Sequence, residues 1–405
     1  MTSENTGALA GVKIIDLSRV LAGPYATQIL GDHGAEVIKF EPPQGDETRE
    51  WGPPFRDDDG ARGPAAYYVN INRNKRGMAL DLTKPDARDA VFKLLEGADV
   101  LVENFKIGTL ERWGMGCDVL SKRYPRLIHA RVSGFGAEGP LGGMPGYDAV
   151  LQAMTGLSSC NGSPESGPIK LGVPMVDMTT GLNLVIGILL ALNERHRSGK
   201  GQFVEVALYD AGLSILHPHS ANWLMAGRLP QLLGNAHPNL APYELFPTAT
   251  RPIHLGVGND PQFKKLLAVL GIAHVADDAR FKTMADRNAN RAALIPLLRQ
   301  ALAPMDGVKV AFDLLKAGVP AGTLNTIEEV LDDPQTAARE MLVERNGYKG
   351  IASPVKMSRS KAGTRHLPPD FGVDNRAVLR EAGYDDASVE RLIGSGAVVE
   401  KPRGV

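Results

Sequence analysis

The segment LGVPMVDMTTG, Leu171–Gly181, places one carboxylate, Asp177, directly before a long apolar stretch. At the start of a helix a carboxylate lies beside unpaired backbone N–H groups and the positive end of the helix dipole, which favour its ionised form. An ionised carboxylate can act as a nucleophile. It can equally cap the helix, because aspartate is a preferred capping residue. The local sequence leaves both roles open.

Three basic clusters have the charge to bind a polyanion, and arginine in particular matches phosphate with its planar fork of donors. Arg73–Arg76 and the pair Lys106 and Arg112 flank predicted strand ends, where open α/β sheets bind ligands. Arg195–Arg197 ends the apolar stretch, where cations complement a helix dipole, so we expect it to be structural. The turn Arg19–Gln28 is either an ordinary helix entry or a pocket wall.

A literal Gly-x-Gly-x-x-Gly pattern occurs in Ser133–Gly139, after a predicted strand. Pro140 and further glycines follow at once, so no helix opens there to face a pyrophosphate. The acidic residue expected about 20 positions later is also missing. We therefore do not expect nicotinamide or flavin binding.

Short β-branched runs alternate with helical stretches along the first half of the chain, which indicates an α/β fold with a doubly wound parallel sheet. The predicted strands are Val12–Leu17, Glu36–Phe40, Met78–Leu82, Val100–Glu103, Leu127–Val132 and Phe203–Val206. One helix is predicted over Asp210–Met225. From about residue 226 the sequence changes to loops rich in glycine, proline and asparagine and to short helices. This change predicts a large domain in residues 1–225, a small domain in 226–337 and a return to the large domain in 338–405.

The composition limits the classes of binding partner and the cellular compartment that we expect. Forty-five basic against 46 acidic residues give a net charge of -1, so no global field favours nucleic acid or anionic lipid. Cys117 and Cys160 are too few for a disulfide framework and, like the nine histidines, lack metal-binding spacing. Residues 1–11 have neither a basic start nor an apolar core, so we expect no signal peptide, no membrane span, no metal and a cytoplasmic protein.

Eight segments, in this order along nearly the whole chain, resemble the family III CoA-transferases. They are LAGVKIIDLSRVLAGPYATQILGDHGAEVIKFEPPQGD, NRNKRGMALDL, DVLVENFKIGTLERWG, VSGFGAEGP, GVPMVDMTTG, VEVALYDA, GNAHPNLAPYELFPT and AGVPAGTLNTIEEVLDDPQ. The resemblance implies a Rossmann-like large domain, a smaller α+β domain and an interlocked homodimer. It also implies that Asp177 attacks an acyl-CoA and carries CoA as an aspartyl thioester, with no tightly bound cofactor.

The resemblance also implies a set of CoA-binding positions. Asn104 and Phe105 match a pocket beside the cofactor, Arg112 matches an arginine at the CoA phosphates, and Lys75 with Arg76 matches a basic pair near the nucleotide. The full predicted set of binding residues is Arg19, Ala22, Lys75, Arg76, Asn104, Phe105, Arg112, Ser133 and Phe135. The substrates expected are succinyl-CoA as donor and a short dicarboxylic acid as acceptor, because Leu21, Ser133 and Phe135 depart from the formyl-CoA:oxalate pattern.

Donors for the oxyanion are expected from the backbone near Asp177 and from the loop Gly256–Asn259. Arg251 and His254, with Arg19, are candidates to meet a distal carboxylate. Two alternatives remain open. The α-methylacyl-CoA racemases share the resemblance but use a histidine where this chain has Tyr147, and tyrosine, with its usual pKa near 10, is a poor acid/base at neutral pH. A non-catalytic acyl-CoA-binding protein is the other.

Overall fold

The computed structural model describes residues 7–58 and 60–403. Residues 1–6, on which the expectation of no signal peptide partly rests, lie outside the described residues. The helices are α1 Ala22–Asp32, α2 Ala66–Val69, α3 Pro85–Leu95, α4 Thr109–Arg112, α5 Cys117–Arg123, α6 Asp148–Met154, α7 Met175–Ser198, α8 Leu208–Ser214, α9 His219–Ala226, α10 Asp260–Val269, α11 Met284–Ala289, α12 Arg291–Leu302, α13 Gly307–Lys316, α14 Ile327–Leu331, α15 Pro334–Ala338, α16 Asn375–Glu381 and α17 Asp386–Gly394.

A six-stranded sheet forms the centre of the larger unit. Its strands are β1 Lys13–Asp16, β2 Glu36–Glu41, β3 Lys75–Ala79, β4 Val100–Glu103, β5 Ile128–Ser133 and β6 Phe203–Ala207. All adjacent pairs are parallel and the order is β6-β5-β4-β1-β2-β3. The strand order reverses between β1 and β4, which in open α/β sheets is the place where ligands bind beyond the carboxyl ends of the strands. The predicted α/β class with a large parallel sheet is confirmed.

The sheet is buried on both faces because successive residues of each strand enter different cores. Ile15 and Leu101 pack in a core that includes the apolar face of α3. Their neighbours Ile14 and Val100 pack on the other side, in a core that includes the buried residues of α1 and α7. Continuous apolar strands therefore fold here as the middle layer of a three-layer unit.

Two element predictions need correction. The third strand begins at Lys75, three residues before the predicted start, because its charged first residue is buried and paired. The helix predicted over Asp210–Met225 is two helices, α8 and α9, separated around Pro218, which has no backbone N–H to continue a helical ladder.

The contact pattern divides the chain into two units. The first contains the described residues up to Leu157, Leu171–Leu216 and those from Ala337 onward; the second contains Ser158–Lys170 and His217–Thr336. The longer segment of the second unit thus begins at His217, nine residues before the predicted boundary at 226, and the unit also includes the separate segment Ser158–Lys170.

The second unit has its own sheet and core. An antiparallel three-stranded sheet, β7 Tyr243–Phe246, β8 Ile253–Gly256 and β9 Ala321–Thr323, is packed with the helices around an apolar core. Short paired segments complete the chain: Phe55–Asp58 with Ala61–Ala65, Gly162–Ser163 with Gly167–Pro168, and Leu342–Arg345 with Tyr348–Ile351.

The long helix α7 meets the length and hydropathy criteria of a membrane span, with 44% of its most apolar window buried. Core helices of water-soluble proteins meet the same criteria, and Leu184 and Ile188 of α7 are fully buried against the sheet. Its length and composition are thus weak evidence for a span.

Candidate active site

Asp177 lies at a cavity of about 380 Å³ at the carboxyl ends of β1, β4 and β5. Of the predicted binding residues, the structure brings five to this cavity: Arg19, Ala22, Asn104, Phe105 and Ser133. These residues are far apart in the chain and come together because each follows or ends a strand of the parallel sheet. The cavity is the one expected at the point where the strand order reverses.

Asp177 is the third residue of α7, within its first turn, and the N-cap position is Pro174, which has no side-chain capping hydrogen bond. The cap comes from another helix. Asp148, the first residue of α6, accepts hydrogen bonds from the backbone N–H groups of Val176 at 2.8 Å and Asp177 at 3.1 Å. The interpretation of Asp177 as an N-cap is therefore wrong, because Asp148 satisfies the donors that such a cap would take.

Asp148 is itself held by a buried amide. Gln152, one turn later on α6, donates to the other carboxylate oxygen of Asp148 at 2.6 Å and accepts from the backbone N–H of Leu171 at 2.8 Å. The chain thus fixes both the start of α7 and the segment that leads into it. Sequence reasoning considered the segment Gly146–Asp148 only for its tyrosine and missed this role of Asp148.

The electrostatics of Asp177 differ from the sequence prediction. Burial, and secondly the negative charge of Asp148, raise the pKa of Asp177 from 3.8 to about 7. A helix dipole contributes only about 0.3–1 kcal/mol at an exposed terminus, which is less than the cost of removing a carboxylate from water. Asp177 is thus a basic carboxylate, and its ionised form is a better nucleophile than an ordinary aspartate.

Tyr67 of α2 lies close enough to Asp177 and Asp148 for both carboxylates to affect its pKa. Burial and then the charges of Asp177 and Asp148 raise the pKa of Tyr67 to about 12, so its hydroxyl stays protonated and can donate a hydrogen bond at neutral pH. Its ring packs edge-on against Trp51 at 5.1 Å between centroids. Nothing in the spacing of the sequence pointed to Tyr67.

A second cavity of about 630 Å³ shares Arg19 and Phe105 with the first. Its walls combine apolar and aromatic side chains with charged ones such as Asp81, and Phe105 and Trp113 pack edge to face there at 5.4 Å. Within the described residues the guanidinium of Arg19 has no hydrogen-bonding or ionic partner. It therefore offers a positive charge where the two cavities meet.

The structure places both Lys75 and Arg76 in ion pairs within the larger unit. The ammonium group of Lys75 is fully buried and bonded to Asp16, to the carbonyl oxygen of Pro24 and to Asn72, so it faces no cavity wall. Arg76 lies near the amino ends of the strands and pairs with Glu381 at 2.6 Å. Both side chains are engaged in structural ion pairs, which does not support a role at the nucleotide.

The other three predicted binding residues, Ser133, Phe135 and Arg112, differ in their position relative to the cavity. Ser133 ends β5 and its hydroxyl accepts from the N–H of Gly136 at 3.0 Å, closing a turn beside the cavity. Phe135 packs on the core and on Tyr209 instead of lining the cavity. Arg112 is exposed on α4, bonded to Thr109. Its role at the CoA phosphates stays a prediction.

The loop Gly256–Asn259 lies in the second unit and has no spare donors at its first three residues. The N–H groups of Gly256, Val257 and Gly258 donate to Pro320, Pro242 and Gln262. The prediction that this loop supplies oxyanion donors is not supported by this arrangement. In the same unit Arg251 pairs with Glu329, and His254 packs against Tyr243.

Comparison with known proteins identifies the family. Residues 9–375 match the model of CoA-transferase family III. The chain is 41% identical to a succinate–glutarate CoA-transferase of Agrobacterium fabrum, covering 92% of this chain and 95% of that protein, and 34% identical to human succinyl-CoA:glutarate CoA-transferase, covering 97% and 90%. A crystal structure of a CAIB/BAIF family protein from Brucella suis matches with a TM-score of 0.83 and 40% identity over 93% of this chain and 99% of that one. The chain therefore belongs to CoA-transferase family III and is a CoA-transferase.

Proposed function

We propose that the protein transfers CoA from succinyl-CoA to a short dicarboxylic acid such as glutarate, with Asp177 as the covalent carrier. The observation that carries the proposal is a half-buried carboxylate with a pKa of about 7 in a cavity that adjoins a larger, aromatic-walled one. The relatives with named activities support the substrates, since several act on succinyl-CoA and on dicarboxylic acids.

The reaction balances without an added proton or cofactor. A carboxylate oxygen of Asp177 attacks the thioester carbonyl, the C–S bond breaks, and a mixed anhydride and CoA thiolate form. The thiolate attacks the aspartyl carbonyl, which breaks the anhydride and releases the donor acid. The acceptor carboxylate then attacks the aspartyl thioester, and the thiolate attacks the acceptor's carbonyl in turn. Asp177 leaves as a free carboxylate and the new acyl-CoA is complete.

Backbone donors for the tetrahedral intermediates are available in the first unit. The N–H groups of Val20, Leu21 and Ala22 have no partner among the described residues, and all three residues line the cavity of Asp177. Backbone N–H donors that face a developing oxyanion stabilise it at little reorganisation cost, so these three groups are candidates for that role. The hydroxyl of Tyr67 is a further candidate donor.

The two alternatives differ in what they require of the site. A racemase needs an acid/base pair at the α-carbon, and the side chain beside Asp148 is the exposed Tyr147 instead of a histidine. A non-catalytic binder requires no nucleophile. No contact in the site favours either one over transfer.

We also propose that the enzyme is a homodimer with interlocked chains and is cytoplasmic. The exposed side of α7 supports dimerisation: Leu182, Ile186, Leu189 and Leu190 are 40–64% exposed on one face of a helix. The two free cysteines fit a reducing compartment. Sedimentation at neutral pH checks the first point, since a monomer at micromolar concentration contradicts it, and cell fractionation checks the second.

The test incubates the protein with succinyl-CoA and a panel of acids and follows new acyl-CoA by mass spectrometry. Hydroxylamine or borohydride then traps the intermediate, and peptide mapping locates the modification. We expect it at Asp177 and no turnover in Asp177→Ala. The matched control is Asp210→Asn, because Asp210 is also the third residue of its helix, α8, but is exposed. Labelling elsewhere, or α-proton exchange without CoA transfer, contradicts the mechanism.

A further inference from the structure

We propose that Asn104 is a positioning residue: its carboxamide holds the peptide of Arg19 and so keeps the next residue, Val20, in a left-handed turn that forms part of the wall at Asp177. The inference rests on the proposed function and adds to it the group that holds this wall in shape. It differs from the role that family resemblance gives Asn104, which is contact with CoA.

The carboxamide binds one backbone segment at two points. The N–H of Arg19 donates to Oδ1 of Asn104 at 3.0 Å, and Nδ2 of Asn104 donates to the carbonyl oxygen of Arg19 at 2.8 Å. An N–H group needs an acceptor and a carbonyl needs a donor, so these contacts also fix the orientation of the amide. Asn104 follows β4 and Arg19 follows β1, so the two hydrogen bonds join the segments after these two strands, at the point where the strand order reverses.

The segment held in this way is strained. Val20 has φ of 69°, in the left-handed region that β-branched residues rarely adopt, because the branched side chain collides with its own backbone there. Such a conformation persists only when its surroundings impose it. The two hydrogen bonds of Asn104 act on the residue immediately before Val20, which makes them the nearest external constraint on that turn.

The turn is also coupled to the helix that carries Asp177. A Cβ atom at Gly181 would lie 2.7 Å from the carbonyl oxygen of Ala22, so the start of α1 packs directly on α7 one turn after Asp177. Below the turn, Lys39 donates to the carbonyl oxygen of Ser18 at 3.0 Å. The segment is thus fixed at its base and its end, and Asn104 fixes its middle.

This arrangement predicts a particular pattern of kinetic loss. Without the carboxamide, Val20 can relax to an ordinary conformation, which displaces the backbone N–H groups of Val20, Leu21 and Ala22 at the cavity wall. Misplacement of about 1 Å can cost up to 10²-fold in rate. The loss should fall on kcat, whereas loss of a direct CoA contact should fall on the KM for acyl-CoA.

The experiment compares the full-length variants Asn104→Ala, Asn104→Asp and Asn104→Ala/Val20→Gly. We expect Asn104→Ala to lower kcat about 30-fold with KM for acyl-CoA within about threefold. Glycine adopts the left-handed turn without strain, so the double variant should regain about fivefold in kcat. Asn104→Asp should be no better than alanine, since a carboxylate cannot donate to the Arg19 carbonyl. The control is Asn104→Ala/Val373→Gly, which changes an exposed valine and should regain nothing.

Hydrogen–deuterium exchange gives a readout that does not depend on turnover. Peptides covering residues 17–25 should exchange faster in Asn104→Ala than in the wild type, with or without CoA. If the wild type transfers no CoA, the proposed function fails while this measurement still tests the contact. Unchanged exchange, a loss confined to KM, or no recovery with Val20→Gly would each overturn the proposal.

Discussion

Asp177→Asn should stabilise the folded protein in a pH-dependent way, because it removes a carboxylate that ionises at a cost. The pKa of Asp177 is raised to about 7 in the folded protein, from 3.8, chiefly by burial and then by Asp148. The folded state therefore holds a proton that the unfolded state releases. The stability contributed by the protonated group is fully present below about pH 4, is lost as pH rises towards 7, and stays lost above that.

The size of the effect follows from the two pKa values. The difference, 7 minus 3.8, is 3.2, and at 1.36 kcal/mol for each unit it sets an upper limit of about 4 kcal/mol at pH 8. Asp177 is partly exposed, and water screens its charge, so we expect roughly 1–2 kcal/mol. The asparagine variant keeps the size of the side chain and loses only the ionisation.

The assay is urea unfolding of wild type and Asp177→Asn at several pH values between 4 and 8.5. The difference in the free energy of unfolding should be small near pH 4, should grow in favour of the variant up to about pH 7, and should then level off. Asp210→Asn, with the exposed aspartate at the same position of another helix, should show no such growth. A wild type that is more stable than the variant at pH 8 would refute the reasoning and restore Asp177 as an ionised cap.

Four further outcomes follow from the same contacts. The kcat/KM of the wild type should fall below about pH 7 as Asp177 takes up its proton. Asp148→Asn should move this fall to lower pH, but burial is the larger cause and should keep the pKa of Asp177 above that of an ordinary aspartate. Initial rates measured against pH check both outcomes. Gly181→Val should destabilise the protein by roughly 2 kcal/mol, measured by urea unfolding, because the new side chain meets the carbonyl oxygen of Ala22. Arg76→Gln should leave the KM for acyl-CoA within about twofold, since Arg76 pairs with Glu381 near the amino ends of the strands. A large rise would instead support the role at the nucleotide that the resemblance predicts.

The sheet could be predicted because its strands are buried on both faces and read as short apolar runs separated by helical stretches. The one strand that was displaced begins with a charged residue. Lys75 is buried because Asp16, on a strand two positions away in the sheet, lies 3.2 Å from its ammonium group. Periodicity along the chain carries no information about such a partner, so the pattern placed Lys75 before the strand, in a basic cluster that could bind a polyanion.

The candidate site, like the sheet, could be predicted only in part, because sequence patterns indicate strand ends but not long-range contacts. Residues that end strands could be brought to one edge by topology alone, and Arg19, Asn104 and Ser133 do meet there. The raised pKa of Asp177 could not be predicted from the sequence, because it depends on burial by distant segments and on Asp148, 29 residues earlier. A long helix that begins after a proline, with no capping side chain of its own, was the available signal that its donors are satisfied from elsewhere.

The strand order of the large sheet is the one found in dinucleotide-binding folds, yet its turns differ from those of a dinucleotide site. After β1 the chain turns through Val20, whose φ is 69°, next to Arg19, which Asn104 binds, where a dinucleotide site has a glycine-rich turn. After β5 the pattern Ser133–Gly139 has left-handed glycines at Gly136 and Gly139, and no helix opens until Asp148. The carboxylate of Asp148 then binds the first N–H groups of α7, where an unoccupied helix start would attract a phosphate. The same sheet edge therefore presents the carboxylate of Asp177, with its raised pKa, in place of a pyrophosphate cradle.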